Sequence, residues 1–202
     1  QEQFFPREKE EYGDKIFDFM NEEIKKVPPG SDHLVCTPWM LGERCPVSST
    51  TTRSTLFNIN MEHTRAHMLR AVYEGIAYNL RWIMENYERD YGFNCNDFRI
   101  IGGGALNDPW MEIIADVTGK SFSVPKDPRN SGAVGAAVVA LIGLGELSGF
   151  EEVKEFVEAD RHFKPNPENK KIYDELFQDY KNVYNSLKGA YDKANGKRFQ
   201  GA

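Results

Sequence analysis

The residues best suited to bind a ligand form a glycine turn between an apolar segment and a helix. The apolar segment covers residues 98–101, the turn is Gly-Gly-Gly at 102–104, and Asn107 and Asp108 follow as capping side chains. Glycine lets a backbone turn sharply and lets a ligand lie against it, because no Cβ stands in the way. The start of a helix adds a partial positive charge. The pattern indicates either a site for phosphate or the polar ring atoms of a nucleotide, or a plain strand-to-helix turn.

Two familiar nucleotide motifs are excluded at this turn. No Gly-Lys-Ser or Gly-Lys-Thr follows it, so it is not a phosphate loop of the Walker A type. Asn107 stands where the last glycine of Gly-x-Gly-x-x-Gly, counted from Gly102, would fall, so it is not the dinucleotide fingerprint either. A nucleotide at this turn must therefore be bound in another way.

Other reactive side chains lack the partners that catalysis needs. His63 and His67 have the i, i+4 spacing of a zinc pair, but the glutamate of His-Glu-x-x-His is absent and Arg65 lies between them. We therefore expect surface or capping histidines. The hydroxyl run at 48–52 has no Gly-x-Ser-x-Gly elbow around it and predicts either a polar turn or a loop over a ligand. The sequence contains neither a convincing catalytic pair nor a metal site.

Trp39 and three aspartates also have structural interpretations. Trp39 beside Arg44 is of the type that stacks on a sugar or pairs with a phosphate, but a tryptophan that anchors its own loop is the commoner case. Asp116, Asp127 and Asp160 have no partner at an interpretable spacing. We expect these three carboxylates to be solvated surface charges.

The composition limits the partners of the chain. Its 202 residues include 25 Lys and Arg against 31 Asp and Glu, a net charge of −6, which argues against nucleic acid as the main partner. No apolar run reaches the roughly 20 residues of a membrane helix, and the first residues contain no apolar signal segment. Cys36, Cys45 and Cys95 match no zinc or redox motif, which predicts reduced thiols. We expect a cytoplasmic protein with no nucleic-acid and no membrane partner.

Apolar periodicity predicts strands that alternate with helices, which is an α/β architecture. Predicted helices cover 7–27, 60–91, 109–118, 131–140 and 167–195, and predicted strands cover 34–36, 54–59, 98–101 and 122–124, with 98–101 expected to be buried. Phe17, Met20 and Ile24 are predicted to form the apolar face of the first helix. Asn60 is predicted to cap the second helix, in which Gly75 indicates a close helix crossing.

Four segments of the chain resemble, in the right order, segments of the FGGY family of carbohydrate kinases. The loop TPWMLGERCP at 37–46 is similar to the family pattern P-x-L-x-G-E-R-x-P. The other three are HTRAH with RAVYEGIA at 63–77, GGGA with Trp110 and IAD at 102–116, and GAVGAA at 132–137. Each segment alone is weak, whereas four in register from Leu34 to Gly145 form a strong resemblance.

The resemblance implies a fold and a place in a longer protein. Family members are similar to actin and hexokinase, in which two domains close over a cleft. The expected fold is therefore an α/β ribonuclease-H-like domain of the actin and hexokinase ATPase type, with a mixed sheet flanked by long helices. Residues 1–202 are expected to be the C-terminal, second domain of a two-domain protein, without the N-terminal domain. A start at Gln1 agrees with such a fragment.

The resemblance also implies a nucleotide site. The backbone at Gly103, Gly104 and Ala105 is expected to lie against the adenosine of ATP, with Asn107 or Asp108 near the adenine or the ribose. The helix of small residues after 131 is expected to pack behind this turn. The catalytic aspartate of the family lies in the first domain, so no catalytic residue and no Mg²⁺ ligand is assigned within this chain.

The implied reaction is transfer of the γ-phosphoryl group of MgATP to a sugar hydroxyl. The matching segments are most similar to those of xylulokinases, so D-xylulose is the expected acceptor, with gluconate, ribulose or glycerol as alternatives. A non-catalytic sugar-sensing domain of the same fold is the alternative from another functional class. The sugar is expected to bind mainly to the missing domain, which makes the 202-residue chain inactive by itself. A homodimer is a further expectation.

Overall fold

A computed structural model describes residues 5–155 and 158–196 of the chain. Helices and strands alternate through most of this length, as the apolar periodicity predicts. Their bounds are α1 Pro6–Tyr12, α2 Ile16–Lys25, β1 Val35–Thr37, β2 Thr55–Phe57, α3 Arg65–Tyr91, β3 Asp97–Arg99, α4 Asp108–Thr118, β4 Ser121–Pro125, α5 Ser131–Gly143, β5 Ala159–Phe163 and α6 Lys170–Asn195.

The main sheet is mixed and has the order β3-β4-β5. β3 and β4 are parallel, with Phe98 opposite Phe122, whereas β4 and β5 are antiparallel, with Phe122 opposite Phe163. The expectation that residues 98–101 form a buried strand was wrong. Both ends of β3 are exposed and Ile101 keeps 54% of its surface accessible, because β3 pairs on one side only among the described strands.

The core is built from side chains of α2, β1, α3, α4, β4 and α6, and it contains several aromatic rings. α3 is 27 residues long, enough to run about 40 Å. Its buried face meets rings from α6 and from the loop after β1, and edge-to-face or tilted contacts are the arrangement that such rings prefer. The fully buried rings are Trp39, Tyr78, Tyr173, Phe177 and Tyr180.

Gly75 marks a close approach, but to a strand and not to another helix. A Cβ at Gly75 would lie 2.2 Å from the carbonyl oxygen of Cys36 in β1. The predicted helix crossing is therefore replaced by a contact between α3 and the small β1-β2 hairpin, in which Cys36 pairs with Leu56. Only glycine lets α3 lie this near to β1.

A buried ion pair within α3 is bonded to the loop after α2 and to α6. Glu74 is 1% exposed and its carboxylate accepts hydrogen bonds from Arg70 Nε at 2.8 Å and from the Tyr173 hydroxyl at 3.0 Å. The same carboxylate accepts from the backbone N–H of Gly30 at 2.9 Å and from the Ser31 hydroxyl at 2.7 Å. Four donors satisfy one buried charge, which is what such a charge needs in order to be tolerated.

The start of α3 differs from the sequence prediction. The helix begins at Arg65 and is capped by Thr64, whose N–H donates to His67 Nδ1 at 3.2 Å. Asn60, the predicted cap, instead closes a turn by accepting from the N–H of Glu62 at 2.8 Å. His67 Nε2 lies 2.9 Å from an Asp32 carboxylate oxygen. The prediction of a capping histidine is confirmed at His67.

The first predicted helix is broken. Gly13, at φ 54°, separates α1 from α2, because this backbone conformation cannot continue a helix. The buried side chains of α2 are Ile16, Met20 and Ile24. Phe17 was placed on the apolar face by its spacing, but the structure leaves 50% of its surface exposed. The predicted apolar face is therefore confirmed at Met20 and Ile24 and wrong at Phe17, where the neighbouring Ile16 is buried instead.

α5 is apolar on nearly every side, yet little of it is covered. Val138 is its only buried residue, while Val139 is 59% exposed. A Cβ at Gly132 or Gly135 would meet no atom within 4 Å, so the close packing expected of small residues is not made by the described part of the chain. No helix in residues 5–155 and 158–196 combines the length and the apolarity needed to cross a bilayer.

Candidate functional site

A groove of about 540 Å³ lies between α2, α3 and the glycine turn that precedes α4. Its floor includes Val72 and Tyr73 of α3, and Gly103 and Gly104 border it on one side. The volume falls within the range of roughly 300–1,000 Å³ that is typical of small-molecule sites. The turn is held in place because the N–H of Gly102 donates to the carbonyl of Pro128 at 2.7 Å.

The three glycines of the turn have different reasons to be glycine. Gly102 has φ 99°, a conformation that L side chains rarely adopt. A Cβ at Gly104 would lie 2.6 Å from the ring of Trp110, so Gly104 is required by packing inside the protein. A Cβ at Gly103 would meet no atom within 4 Å and would project into open space. A side chain added at Gly103 would therefore displace a ligand from the groove without displacing any atom of the protein.

The turn leaves backbone donors available. Among residues 5–155 and 158–196, the N–H groups of Gly103 and Gly104 have no hydrogen-bond partner, whereas the N–H of Ala105 donates to Gly102 at 3.2 Å. Unpaired backbone N–H groups beside an exposed glycine suit an anionic or acceptor ligand. The first turn of α4 offers less, because Pro109 has no N–H and the N–H of Trp110 donates to Asn107 Oδ1 at 3.1 Å.

Asn107 lies in the groove and caps α4 as its side-chain type predicts. Its amide nitrogen lies 3.5 Å from the hydroxyl of Tyr73. Burial raises the pKa of the Tyr73 phenol, so this hydroxyl stays protonated at neutral pH. The Trp110 ring packs edge-to-face on Tyr73, with centroids 5.6 Å apart. Asn107 and Tyr73 therefore form a fixed polar corner of the groove.

Ala105 and Asp108 do not line the groove. Ala105 is 1% exposed and its side chain is part of the core, while its carbonyl accepts from Arg161 Nη2 at 2.9 Å. Asp108 forms an ion pair with Arg161 Nη1. Of the five residues that the resemblance assigns to the nucleotide, the structure brings Gly103, Gly104 and Asn107 to the groove and turns the other two toward β5.

The opposite wall of the groove consists of residues that sequence reasoning did not assign to it. Phe17 and Asn21 project from α2, and Asp14 and Asp18 accompany them. Arg129 stands at the rim next to the turn and is exposed. No sequence motif marks these positions as binding residues. The one indication is that Phe17 is exposed although its spacing places it on the apolar face of the helix, and this is visible only in the structure.

The other candidate residues have structural roles. Trp39 is 1% exposed and its indole N–H donates to Asn79 Oδ1 at 3.0 Å, so it anchors its loop. The hydroxyl run forms the predicted polar turn, in which the Thr52 hydroxyl donates to Ser49 Oγ at 2.6 Å. Asp116 is not a free surface charge, because it accepts from the N–H of Asn166 at 2.7 Å.

The acidic side chains do not gather into a metal centre. Within the described ranges no group of three or more His, Cys, Asp or Glu side chains has the arrangement of a metal site. His63 and His67 have ring centroids 5.4 Å apart, but both rings contact Asp32, and their Nδ1 atoms accept from the backbone N–H groups of Asn60 and Thr64 respectively.

Comparison with known proteins gives relatives for most of the chain. It is 33% identical over 173 residues to the xylulose kinase of Bacillus subtilis, covering 85% of this chain and 34% of that protein. The chain therefore spans about a third of the length of this relative. Its fold matches the crystal structure of gluconate kinase from Lactobacillus acidophilus, with a TM-score of 0.79, 27% identity and coverage of 86% of this chain and 35% of the other.

A more distant structure has the same fold. The glycerol kinase of Plasmodium falciparum, solved with ADP, superposes with a TM-score of 0.72 at 23% identity, over 84% of this chain and 34% of the other. Sugar kinases of this group have the actin and hexokinase fold, and the mixed sheet with long flanking helices agrees with it. Residues 4–144 match the C-terminal domain of the FGGY family of carbohydrate kinases. The chain belongs to the FGGY family of carbohydrate kinases.

Proposed function

We propose that the chain is the C-terminal, nucleotide-binding part of a two-domain sugar kinase in the cytoplasm. The whole protein transfers the γ-phosphoryl group of ATP to a sugar hydroxyl, with D-xylulose as the preferred acceptor. The observation that carries this proposal is the groove at Gly103, in a chain whose family phosphorylates carbohydrates. Its similarity to a xylulose kinase supports D-xylulose, and its likeness to a gluconate kinase keeps gluconate as the alternative acceptor.

The residues present fit adenosine. The backbone at Gly103 is open on the side where a side chain would stand, so a flat or sugar-like group can lie against it. Asn107 and Tyr73 supply polar contacts from the floor. Arg129, for which no ion pair with a described residue is found, supplies positive charge at the rim for a phosphate. When ATP binds as its Mg²⁺ complex, the metal ion would neutralise part of the negative charge on the phosphates.

An incomplete packing surface supports the two-domain proposal. The apolar helix α5 is largely uncovered, and β3 has a free edge in the described sheet. Exposed apolar surface of this kind marks a missing partner. Phosphoryl transfer also needs groups that position the sugar hydroxyl and the γ-phosphate. We assign these groups, including the catalytic aspartate and the sugar site, to the preceding domain, and we expect no kinase activity from the 202-residue chain.

Nucleotide binding is the first test. Titration calorimetry with ATP on the 202-residue chain is expected to show weak binding, and Gly103→Val is expected to weaken it at least 10-fold, because the new side chain projects into the groove. Gly149→Val is the matched control, since a Cβ there also meets no atom within 4 Å but lies outside the groove. Equal ATP affinity in the unsubstituted chain and Gly103→Val would remove the turn from the site.

Activity is the second test. The purified chain incubated with MgATP and D-xylulose is expected to form no sugar phosphate, and measurable product would overturn the assignment of catalysis to the other domain. Joined to that domain, the chain is expected to phosphorylate D-xylulose faster than gluconate, ribulose or glycerol. Loss of phosphorylation with every sugar, but retained sugar binding, would favour a sensor. Sedimentation of the complete protein would test the expected homodimer.

A further inference from the structure

An open strand edge and an exposed apolar segment occur together at β2. Among the strands in residues 5–155 and 158–196, β2 pairs with β1 alone, so its other edge is open. Four large apolar residues of the segment 54–61 each have more than a third of their surface accessible: Leu56, Phe57, Ile59 and Met61. An open edge is a template for pairing with another strand, and exposed apolar side chains beside it favour burial of the contact. Segment 54–61 therefore has the properties of an interface.

The backbone of Leu56 is directed to the open edge. In an antiparallel pair, the N–H and C=O groups of successive residues point alternately to the partner strand and away from it. The N–H of Thr55 points to β1, where it donates to Thr37 Oγ1 at 2.9 Å. The N–H and C=O of the next residue, Leu56, consequently point away from β1. They are the donor and the acceptor that an added strand would use.

The charge of the segment suits a second copy of itself. Residues 54–61 include no Asp, Glu, Lys or Arg. Natural proteins commonly protect an open edge with charged side chains, and a charge near a two-fold axis would repel its own copy. Neither obstacle is present at β2. An antiparallel pair of identical strands centred on Leu56 places Leu56 opposite its own copy and Thr55 opposite Phe57.

The same pairing gives Phe57 a surface to pack on. The Thr55 hydroxyl is hydrogen-bonded to the hydroxyl of Tyr191 in α6. Phe57 borders a groove of about 160 Å³ together with Val183 and Leu187 of α6. Because Thr55 would stand opposite Phe57 of the second copy, that ring would lie over the face of β2 that α6 covers. Each copy would then cover apolar surface of the other in the same way, which is the property of a two-fold contact.

This surface is separate from the one assigned to the preceding domain. The cavity between α5 and the main sheet is lined by residues between 99 and 160 and by none of segment 54–61. The open edge of β3 belongs to the main sheet, whereas β2 belongs to the two-stranded sheet with β1. A second copy bound at β2 and a domain bound at α5 and β3 would therefore use different residues of the chain.

We propose that the chain forms a two-fold dimer in which the open edges of two β2 strands pair antiparallel, centred on Leu56. The two β1-β2 hairpins then form one sheet in the order β1-β2-β2-β1. The apolar side chains of segment 54–61 are covered by the same segment of the second copy and by its α6. This inference assigns an interface to the expected homodimer, and it depends neither on the nucleotide groove nor on the identity of the sugar.

Analytical ultracentrifugation of the 202-residue chain measures the dimer. The unsubstituted chain is expected to sediment as a dimer at micromolar concentration. Leu56→Lys is expected to raise the dissociation constant at least about 100-fold, because a two-fold contact carries the substitution twice and each copy costs about 10-fold. Met61→Lys is expected to raise it about 10-fold, and it does not depend on folding because Met61 is fully exposed. Leu144→Lys, in the exposed apolar surface at the end of α5, is the matched control and should leave the dissociation constant unchanged.

A cross-link tests the symmetry of the contact. In a chain with Cys45→Ser and Cys95→Ser, the further substitution Leu56→Cys is expected to give a covalent dimer under mild oxidation. The reason is that residues opposite each other in an antiparallel pair lie within the distance that a disulfide spans. Leu41→Cys, in the more exposed loop after β1, is the matched control and is expected to remain monomeric in denaturing electrophoresis.

Each outcome supports or overturns the interface. A monomeric unsubstituted chain, or a dimer that Leu144→Lys dissociates and Leu56→Lys does not, would overturn the proposal, and so would equal cross-linking of the Leu41 and Leu56 variants. If the chain joined to its preceding domain became monomeric, β2 would be a contact between domains and the proposal would fail. Absence of ATP binding in a chain that still dimerises would contradict the proposed function alone, so the two failures are distinguishable.

Discussion

Replacing Glu74 with alanine is expected to be among the most destabilising single changes in this chain. The substitution removes the acceptor of four hydrogen bonds and leaves the guanidinium of Arg70 buried without its counter-charge. Removal of one partner from a buried ion pair costs about 3–5 kcal/mol. In a chain of 202 residues, 1 kcal/mol corresponds to about 2–4 °C, so we expect the melting temperature to fall by about 6–20 °C.

The same helix provides a matched control. Arg81 and Glu85 have the same i, i+4 spacing in α3 and an Nε–Oε1 distance of 3.1 Å, but the Glu85 side chain is 41% exposed. Exposed pairs contribute about 0–1 kcal/mol, because water and salt screen them. Glu85→Ala is therefore expected to change the free energy of unfolding by at most about 1 kcal/mol. The difference between the two variants isolates the effect of burial.

Urea unfolding followed by circular dichroism measures these free energies. A double-mutant cycle with Arg70→Ala is expected to give a coupling energy of about 2 kcal/mol, since the second substitution removes the charge that the first leaves unpaired. Tyr173→Phe, which removes one donor, should cost about 1 kcal/mol. A loss below about 1 kcal/mol for Glu74→Ala, or additive effects of the two single substitutions, would refute the reasoning.

Two further predictions concern packing and thiol chemistry. Gly75→Ala is expected to lower the free energy of unfolding by at least about 2 kcal/mol, because its Cβ would collide with β1. The control Gly189→Ala, on the exposed face of α6, should raise it by about 0.5–1 kcal/mol. Equal melting temperatures of the two variants would contradict the close contact at Gly75. Burial raises the pKa of the Cys36 thiol to about 11, so at pH 8 iodoacetamide should label exposed Cys45 and reach Cys36 only in urea. The pKa of Cys36 is higher in the folded than in the unfolded chain, so the contribution of its protonated thiol to stability is complete below about pH 9 and is lost as the pH rises toward 11. Urea unfolding across this pH range would detect the loss.

Local features were predictable wherever neighbours in the chain decide them. Asn107 caps α4 and Gly119 ends it with φ 68°, since both functions depend on side chains and dihedral angles within one turn of the helix. The α/β order of elements follows from apolar periodicity in the same way. The start of α3 was misplaced because Asn60 and Thr64 are both good capping residues, and the pairing of Thr64 with His67 decides between them.

The candidate site was predictable only in part. The glycine turn is visible in the sequence, but that turn has two sides, and nothing local tells which side faces a ligand. The ring of Trp110 fills the space at Gly104 and leaves Gly103 open. Arg161, more than fifty residues away, pairs with Asp108 and turns it from the groove. The second contact joins segments that are distant in sequence, and a local pattern carries no information about it.

The sequence by itself determined most of the helices and strands, but not the break before α2 or the strand β5. It also determined the glycine turn and, through four motifs in order, the resemblance to the family. The tertiary structure alone decided that α2 forms the second wall of the groove, that Gly75 contacts a strand and that Glu74 is a buried and fully paired charge. The physical reason is the range of the interactions involved. Caps, turns and helical periodicity act over a few residues, whereas a groove and the burial of an ion pair exist only after segments distant in the chain have packed together.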